Sequence, residues 1–219
     1  MDFTLTDEQR QLKETARDFC EKEIKPRIRQ MIKERKIPPS IYEGLSKMNF
    51  LGMTIPEKYG GIGADAISTG IVAGEIARAD PTASIPVLFL VHNAWSYLIA
   101  KYGTESLKDK ILPDAARGKK LIGIASTEPN FGSDIGSMVS YAEKKGKIFI
   151  ATGEKSYISL VRDIAERGGG FVTVLKTDRS KKTDGVSLAI MTFMISLDPS
   201  ASWNDLIPLS AHSSGQSLE

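Results

Sequence analysis

Leu121-Ile122-Gly123-Ile124-Ala125-Ser126-Thr127-Glu128-Pro129-Asn130-Phe131-Gly132-Ser133-Asp134, residues 121–134, is where the texture of this chain changes. Before it, apolar residues recur at helical spacing. From Leu121 onward, short apolar runs bounded by turn residues take over. Leu121 to Ala125 reads as the first strand, and Ser137 to Tyr141, Ile148 to Ala151, Phe171 to Leu175 and Val186 to Ile190 read as further ones. Helices first and strands second predict an α+β chain: an N-terminal all-α helical domain over residues 1–120, then a β-sheet or barrel-like domain over residues 121–219.

Working back toward the N-terminus, Thr6-Asp7-Glu8-Gln9 has the form of a capping box, with Gln9 three residues after the capping threonine. Leu12, Ala16, Phe19, Ile24, Ile28 and Met31 then mark the apolar face of a long helix. Pro26 lies inside it and predicts a kink or break, because proline has no backbone donor. A short helix follows from Pro38-Pro39-Ser40 to Met48. Tyr59-Gly60-Gly61-Ile62-Gly63 is a loop needing unusual backbone angles or close approach. Helices are predicted over Asp65 to Ala79 and Pro81 to Lys101, the latter apolar enough to be buried nearly all round. A last helix is capped by Thr104 and stopped by Gly118.

Composition sets the outer limits. Apolar residues are 41% of the 219, enough to bury a real core. Basic and acidic residues number 29 and 27, a net charge of +2 that argues against nucleic acid as a partner. The lone cysteine, Cys20, rules out an intrachain disulfide and reads as core packing. The N-terminus has no basic region followed by an apolar stretch, and no run reaches the ~18 apolar residues of a membrane span. The expected setting is cytoplasmic. His92 reads as a structural histidine on the apolar helix, and His212 as a solvated loop residue. Neither has a second ligand at metal spacing, so no metal site is expected. Trp95 and Tyr97 read as core, and the pairs Lys119-Lys120, Lys144-Lys145 and Lys181-Lys182 as solvated.

Ser126 to Asp134 is the segment richest in chemistry. It follows a strand and carries three hydroxyl side chains, a proline and a glycine. Such a loop offers several hydrogen bonds to a flat polar ring. On physics alone the plainer reading is an ordinary loop in which Ser133 or Asp134 caps the next turn. There is no Gly-x-Gly-x-x-Gly and no phosphate-loop lysine.

Thr127-Glu128-Pro129-x-x-Gly132-Ser133-Asp134 resembles the signature loop of the acyl-CoA dehydrogenase family. Leu5-Thr6-Asp7-Glu8-Gln9-Arg10, Ile55-Pro56-Glu57-Lys58-Tyr59-Gly60-Gly61, Glu75-Ile76-Ala77-Arg78-Ala79-Asp80, Val91-His92-Asn93, Tyr102-Gly103-Thr104-Glu105, Leu112-Pro113 and Gly153-Glu154-Lys155-Ser156-Tyr157-Ile158-Ser159 resemble other family segments in the same order. The resemblance implies an N-terminal helical domain, a middle β domain and a C-terminal four-helix domain, with FAD between the last two. Ile124, Ser126, Thr127, Gly132 and Ser133 would contact the flavin, with Thr127 on the pyrimidine side. Ser133 would also lie near the acyl-CoA substrate. Tyr157 and Ser159 would pack on and hydrogen-bond to the ring. A homo-oligomer, tetramer or dimer, is implied too.

Four departures from the family pattern stand out. Tyr157 replaces the usual tryptophan. Asn130-Phe131 replace two small residues: Phe131 would narrow the site, and Asn130 tolerates positive φ. The loop from Leu160 to Gly170 is about four residues longer than usual. Finally, Ser210 to Glu219 resembles a late middle-domain segment, so the C-terminal domain with its catalytic glutamate is expected to be missing. On that expectation no catalytic residue lies in these 219 positions, and the chain alone holds FAD weakly or not at all and does not turn over. The fourth helix, whose family neighbours include C-terminal helices, would then show an exposed apolar patch. The functions in contention are an FAD-dependent dehydrogenase of acyl-CoA thioesters, an oxidase of the same fold, a non-catalytic truncated paralogue or interaction module, and one chain of a split enzyme.

Overall fold

The computed structural model describes residues 4–134, 137, 139–145, 148–152, 154, 156, 171–175, 186–187 and 190–196. Helix α1 (Asp7–Phe19) opens with the expected capping box: the Thr6 hydroxyl accepts the Gln9 N–H at 3.2 Å, and the Gln9 side chain accepts the Thr6 N–H at 3.1 Å. The break at Pro26 is spread along the chain. Cys20–Ile24 widens into a π turn, Lys25–Arg27 tightens into a 3₁₀ turn, and α2 (Ile28–Glu34) resumes until Arg35 turns left-handed at φ 51°.

Helices α3 (Pro39–Lys47), α4 (Ala66–Ala79), α5 (Ser84–Tyr102) and α6 (Glu105–Ala116) follow. Asp65 caps α4 by accepting the Ser68 N–H at 2.7 Å, and Thr104 caps α6 through the Leu107 N–H at 3.3 Å. Between α3 and α4, the glycine-rich loop meets both expectations. Gly60 and Gly63 have φ of 86° and 59°. Gly61 is where backbones meet: a Cβ there would lie 2.0 Å from the Ile55 carbonyl oxygen and 2.5 Å from that of Gly52.

Helix α5 begins later than Pro81. The buried carboxylate of Asp80 accepts the N–H groups of Thr82 (2.9 Å) and Ile85 (2.8 Å), so residues 80–84 form a capping turn with Ala83 left-handed at φ 61°. Nor is α5 buried all round. Ile85, Leu88, Phe89, His92, Asn93, Ser96 and Ile99 face inward, while Val87, Leu90, Ala94 and Tyr97 form an exposed stripe.

Asn93 ties α5 to the chain before the glycine loop. Its amide donates to the carbonyls of Phe50 (2.9 Å) and Phe89 (3.0 Å), and the Thr54 hydroxyl donates to its backbone carbonyl at 2.6 Å. Cys20 is fully buried, as expected, and burial pushes its thiol up to about 12. Beside it, Phe19 meets Phe50 edge to face at 5.8 Å. Above this core, buried Glu75 of α4 accepts Arg17 of α1 through Nε (3.1 Å) and a terminal nitrogen (2.9 Å), and Arg78 Nε at 2.9 Å. The Arg17 hydrogen bonds, with the one from Arg78, outweigh burial and hold the Glu75 carboxyl at about 2.

After α6, Gly118 turns left-handed at φ 67° and the strands begin: β1 (Lys120–Ala125), β2 (Tyr141–Lys145), β3 (Ile148–Thr152), β4 (Phe171–Leu175), β5 (Val186–Ser187) and β6 (Ile190–Ser196). They pair antiparallel in two three-stranded sheets, ordered β1-β6-β4 and β3-β2-β5 among the described residues. β1 runs against β6 along its whole length, from Lys120 opposite Ser196 to Ala125 opposite Met191. Two expectations are corrected. The segment read as one strand over Val186 to Ile190 is split between the two sheets. The strand expected over Ser137 to Tyr141 starts only at Tyr141, because the N–H groups of Val139 and Ser140 bond a side chain instead of a neighbouring strand.

Candidate functional site

β1 is wedged into the helical core. Leu121 joins the cluster containing Phe19, Leu51 and Leu88, whereas Ile122 joins the one containing Ile99, Ile111 and Ala115. One hydrogen bond gives this packing a direction: the Ile122 N–H donates to Nδ1 of fully buried His92 at 3.1 Å. An accepting Nδ1 places the proton of the neutral ring on Nε2. Nε2 makes no hydrogen bond of normal geometry with a described residue. Burial lowers the His92 pKa to about 4, while the nearby carbonyls of Leu51 and Ala115 act in the opposite direction.

β1 thus delivers Ile124, half-buried, to the mouth of the Ser126–Asp134 loop. The loop is held at three points. Glu128 and Phe131 exchange backbone hydrogen bonds of 2.8 and 3.2 Å around Pro129-Asn130. The Glu128 carboxylate is buried and accepts the N–H groups of Val139 (2.8 Å) and Ser140 (2.9 Å). The Thr127 carbonyl accepts the Ser156 N–H at 2.7 Å. Asn130 stays out of the positive-φ region, so its tolerance for that conformation goes unused.

These anchors leave two hydroxyls, those of Thr127 and Ser133, without a described partner. Ser126 and Thr127 are half-buried, while Gly132 and Ser133 are exposed. The hydroxyls of Thr127 and Ser133 make no hydrogen bond with another described residue. Gly132 has no positive φ, and a Cβ there would meet nothing within 4 Å. Neither backbone strain nor packing against a described residue accounts for a glycine at that place. An open glycine next to the Ser133 hydroxyl, in a loop that also carries the unbonded Thr127 hydroxyl, leaves room for a flat polar ligand. Tyr157 and Ser159 lie outside the described residues, as do His212 and the segments 160–170 and 210–219.

A family model described as acyl-CoA dehydrogenase, N-terminal domain, matches residues 6–119. This chain belongs to the acyl-CoA dehydrogenase family. A 3-(aryl)acrylate reductase of Clostridium sporogenes is 32% identical over 186 residues, 85% of this chain and 48% of that protein. A short-chain specific acyl-CoA dehydrogenase of Clostridium acetobutylicum is 31% identical over 195 residues, 87% of this chain and 49% of the relative. Among solved structures, an acyl-CoA dehydrogenase from Geobacillus kaustophilus superposes with a TM-score of 0.71 at 30% identity, over 81% of this chain and 45% of the other. The chain spans about half the length of the curated relatives it matches. Its helical N-terminal domain is that of acyl-CoA dehydrogenases.

Two residues that position the site escaped the sequence reading. Glu128 stood inside the family motif, but only the fold brings Val139 and Ser140 to its carboxylate. The backbone of Ser156 carries no side-chain signal at all. Other expectations shift in detail. Trp95 packs only partly into the core, and Tyr97 is 48% exposed, so it is no core residue. Lys120 is not simply solvated, since it pairs with Asp114 at 2.9 Å. Among the described residues, no His/Cys/Asp/Glu cluster has the form of a metal site, and no helix is long and apolar enough to cross a membrane.

Proposed function

We propose that this chain carries the helical domain and half of the flavin site of an FAD-dependent enzyme that interconverts the saturated and α,β-unsaturated forms of an acyl-CoA thioester. Ile124, Ser126, Thr127, Gly132 and Ser133, with Tyr157 and Ser159, line the FAD in this reading, and Ser133 also reaches the acyl-CoA. The domain boundary falls near residue 120, the following strands belong to a barrel-like middle domain, and the working form is a homo-oligomer. One observation carries the assignment. The loop between β1 and β2 is fixed by Glu128 and Ser156, yet the Thr127 and Ser133 hydroxyls and the open side of Gly132 stay uncommitted.

FAD bound there would supply the two-electron chemistry of the Cα–Cβ bond. The residues of this chain bind and orient it. The half-buried Thr127 hydroxyl is a donor for a carbonyl on the pyrimidine edge, and donors held in place before negative charge develops there stabilise it without reorganisation. Both a reductase and a dehydrogenase are among the relatives, so the reading covers either direction of the reaction.

The test is FAD titration of the protein at its full encoded length, followed by flavin absorbance, for wild type, Thr127→Ser and Thr127→Val. Wild type and Thr127→Ser are expected to bind alike. Thr127→Val, of nearly the same shape, should bind about tenfold more weakly, the value of one lost hydrogen bond. Equal affinity for all three, or no binding by wild type, would overturn the assignment.

A further inference from the structure

We infer that His92 is a positioning residue: by accepting the Ile122 N–H it fixes β1 on α5, and through β1 it sets where Thr127 and the Ser126–Asp134 loop meet Ser156. The inference rests on the flavin reading of that loop for its bearing on function.

The argument starts from what holds β1 in place. Leu121 and Ile122 are fully buried on opposite sides of the strand, in two separate clusters. Apolar burial is non-directional, so it keeps β1 within the core but tolerates small slides along its axis. A hydrogen bond of 3.1 Å to a ring nitrogen tolerates far less, because its strength falls steeply with angle and distance. His92 has little freedom of its own. It is fully buried, and its neighbour Asn93 is bonded to the carbonyls of Phe50 and Phe89 and to Thr54. The acceptor is therefore held on a rigid helix.

The strand then carries this placement forward. β1 is paired residue by residue with β6 from Lys120 to Ala125, so it moves as a unit. From Ile122 to Thr127 is about 17 Å at roughly 3.3 Å per residue. At its far end Thr127 makes the 2.7 Å bond to Ser156. A slide of about 1 Å at Ile122 would reach that bond nearly undiminished, and misplacements of that size are enough to weaken a preorganised site.

The experiment compares His92→Leu, which removes the acceptor, with His92→Asn, whose Oδ1 sits at the same distance from the backbone as Nδ1, and with His92→Gln, whose oxygen lies one bond farther out. Amide hydrogen exchange is read at Ile122 and Ser156 in the ligand-free protein, and FAD affinity alongside. Expected is exchange about tenfold faster at both amides in His92→Leu, with both restored in His92→Asn. Should the Leu variant not fold, the Asn and Gln pair decides: both amides protected with Asn and both exposed with Gln supports the inference. Faster exchange at Ile122 with Ser156 unchanged, or no rescue by Asn, overturns it. These readings stand whether or not FAD binds, whereas failure of wild-type protein to bind FAD overturns the proposed function alone.

Discussion

Nδ1 of His92 and the N–H of Ile122, 3.1 Å apart, join the middle of α5 to the strand that feeds the candidate site. The bond exists only while the ring is neutral, because a protonated Nδ1 has no lone pair to accept with.

Acid should therefore loosen the core from an unusually high pH. Burial lowers the folded pKa of His92 from 6.5 to about 4. A folded value below the unfolded one means that the unfolded chain binds the proton first. Stability is then complete above pH ~6.5 and falls as the pH drops toward about 4, by about 3 kcal/mol in all. Urea unfolding of wild type and His92→Asn between pH 7 and 4.5 checks this. The wild-type midpoint should fall across that window, and the variant's should stay nearly level. Parallel curves would show that another group drives the loss.

Glu75 governs a lower window. Its carboxyl is held at about 2 against an ordinary 4.5 by Arg17 and Arg78, so its contribution is present above pH ~4.5 and fades as the pH falls toward 2. Glu75→Ala removes the link between α1 and α4 and leaves two guanidiniums without their shared partner. Both arginines are nearly half exposed, at 48% and 42%, and water limits the loss to about 2 kcal/mol. A denaturation shift below 0.5 kcal/mol at pH 7 would contradict the pairing.

Much of this arrangement was legible in the sequence, for local reasons. The Thr6–Gln9 box, the caps at Asp65 and Thr104, the break around Pro26 and the glycines of the 60–63 loop are decided by residues within a few positions of one another. The errors have non-local or reaching side chains behind them. Asp80 delays the start of α5 by capping it from outside the helix. Glu128 draws the N–H groups of Val139 and Ser140 out of the strand expected there. The Thr127 loop was visible as a motif, but its anchoring to Ser156 was not, since a backbone bond between distant residues leaves no compositional trace.

Glu128 offers a direct check of that anchoring. Its buried carboxylate accepts two backbone N–H groups. Glu128→Gln keeps one accepting oxygen and turns the other end into a donor facing an N–H. We expect a loss of about 2 kcal/mol in stability, and faster amide exchange at Val139 or Ser140. Unchanged exchange at both amides is the result that contradicts the clamp.

Gly61 and Gly132 separate a glycine required by the fold from one that, on the flavin reading proposed above, serves a ligand. A Cβ on Gly61 would lie 2.0 Å from the Ile55 carbonyl oxygen, and backbone cannot swing aside as a side chain does. Gly61→Ala is expected to lose about 3 kcal/mol or more of stability. A Cβ on Gly132 meets nothing within 4 Å, and the backbone there has no positive φ, so Gly132→Ala should leave the urea midpoint unchanged. Gly132→Leu should do the same in the ligand-free protein, because the side chain enters open space. The flavin reading makes a different demand on that space: a leucine beside Thr127 and Ser133 would occupy the room the cofactor takes. FAD affinity of the full-length protein should then fall at least about tenfold for Gly132→Leu and much less for Gly132→Ala, with stability equal in both. Full FAD affinity in Gly132→Leu would place the cofactor elsewhere and leave Gly132 without an account.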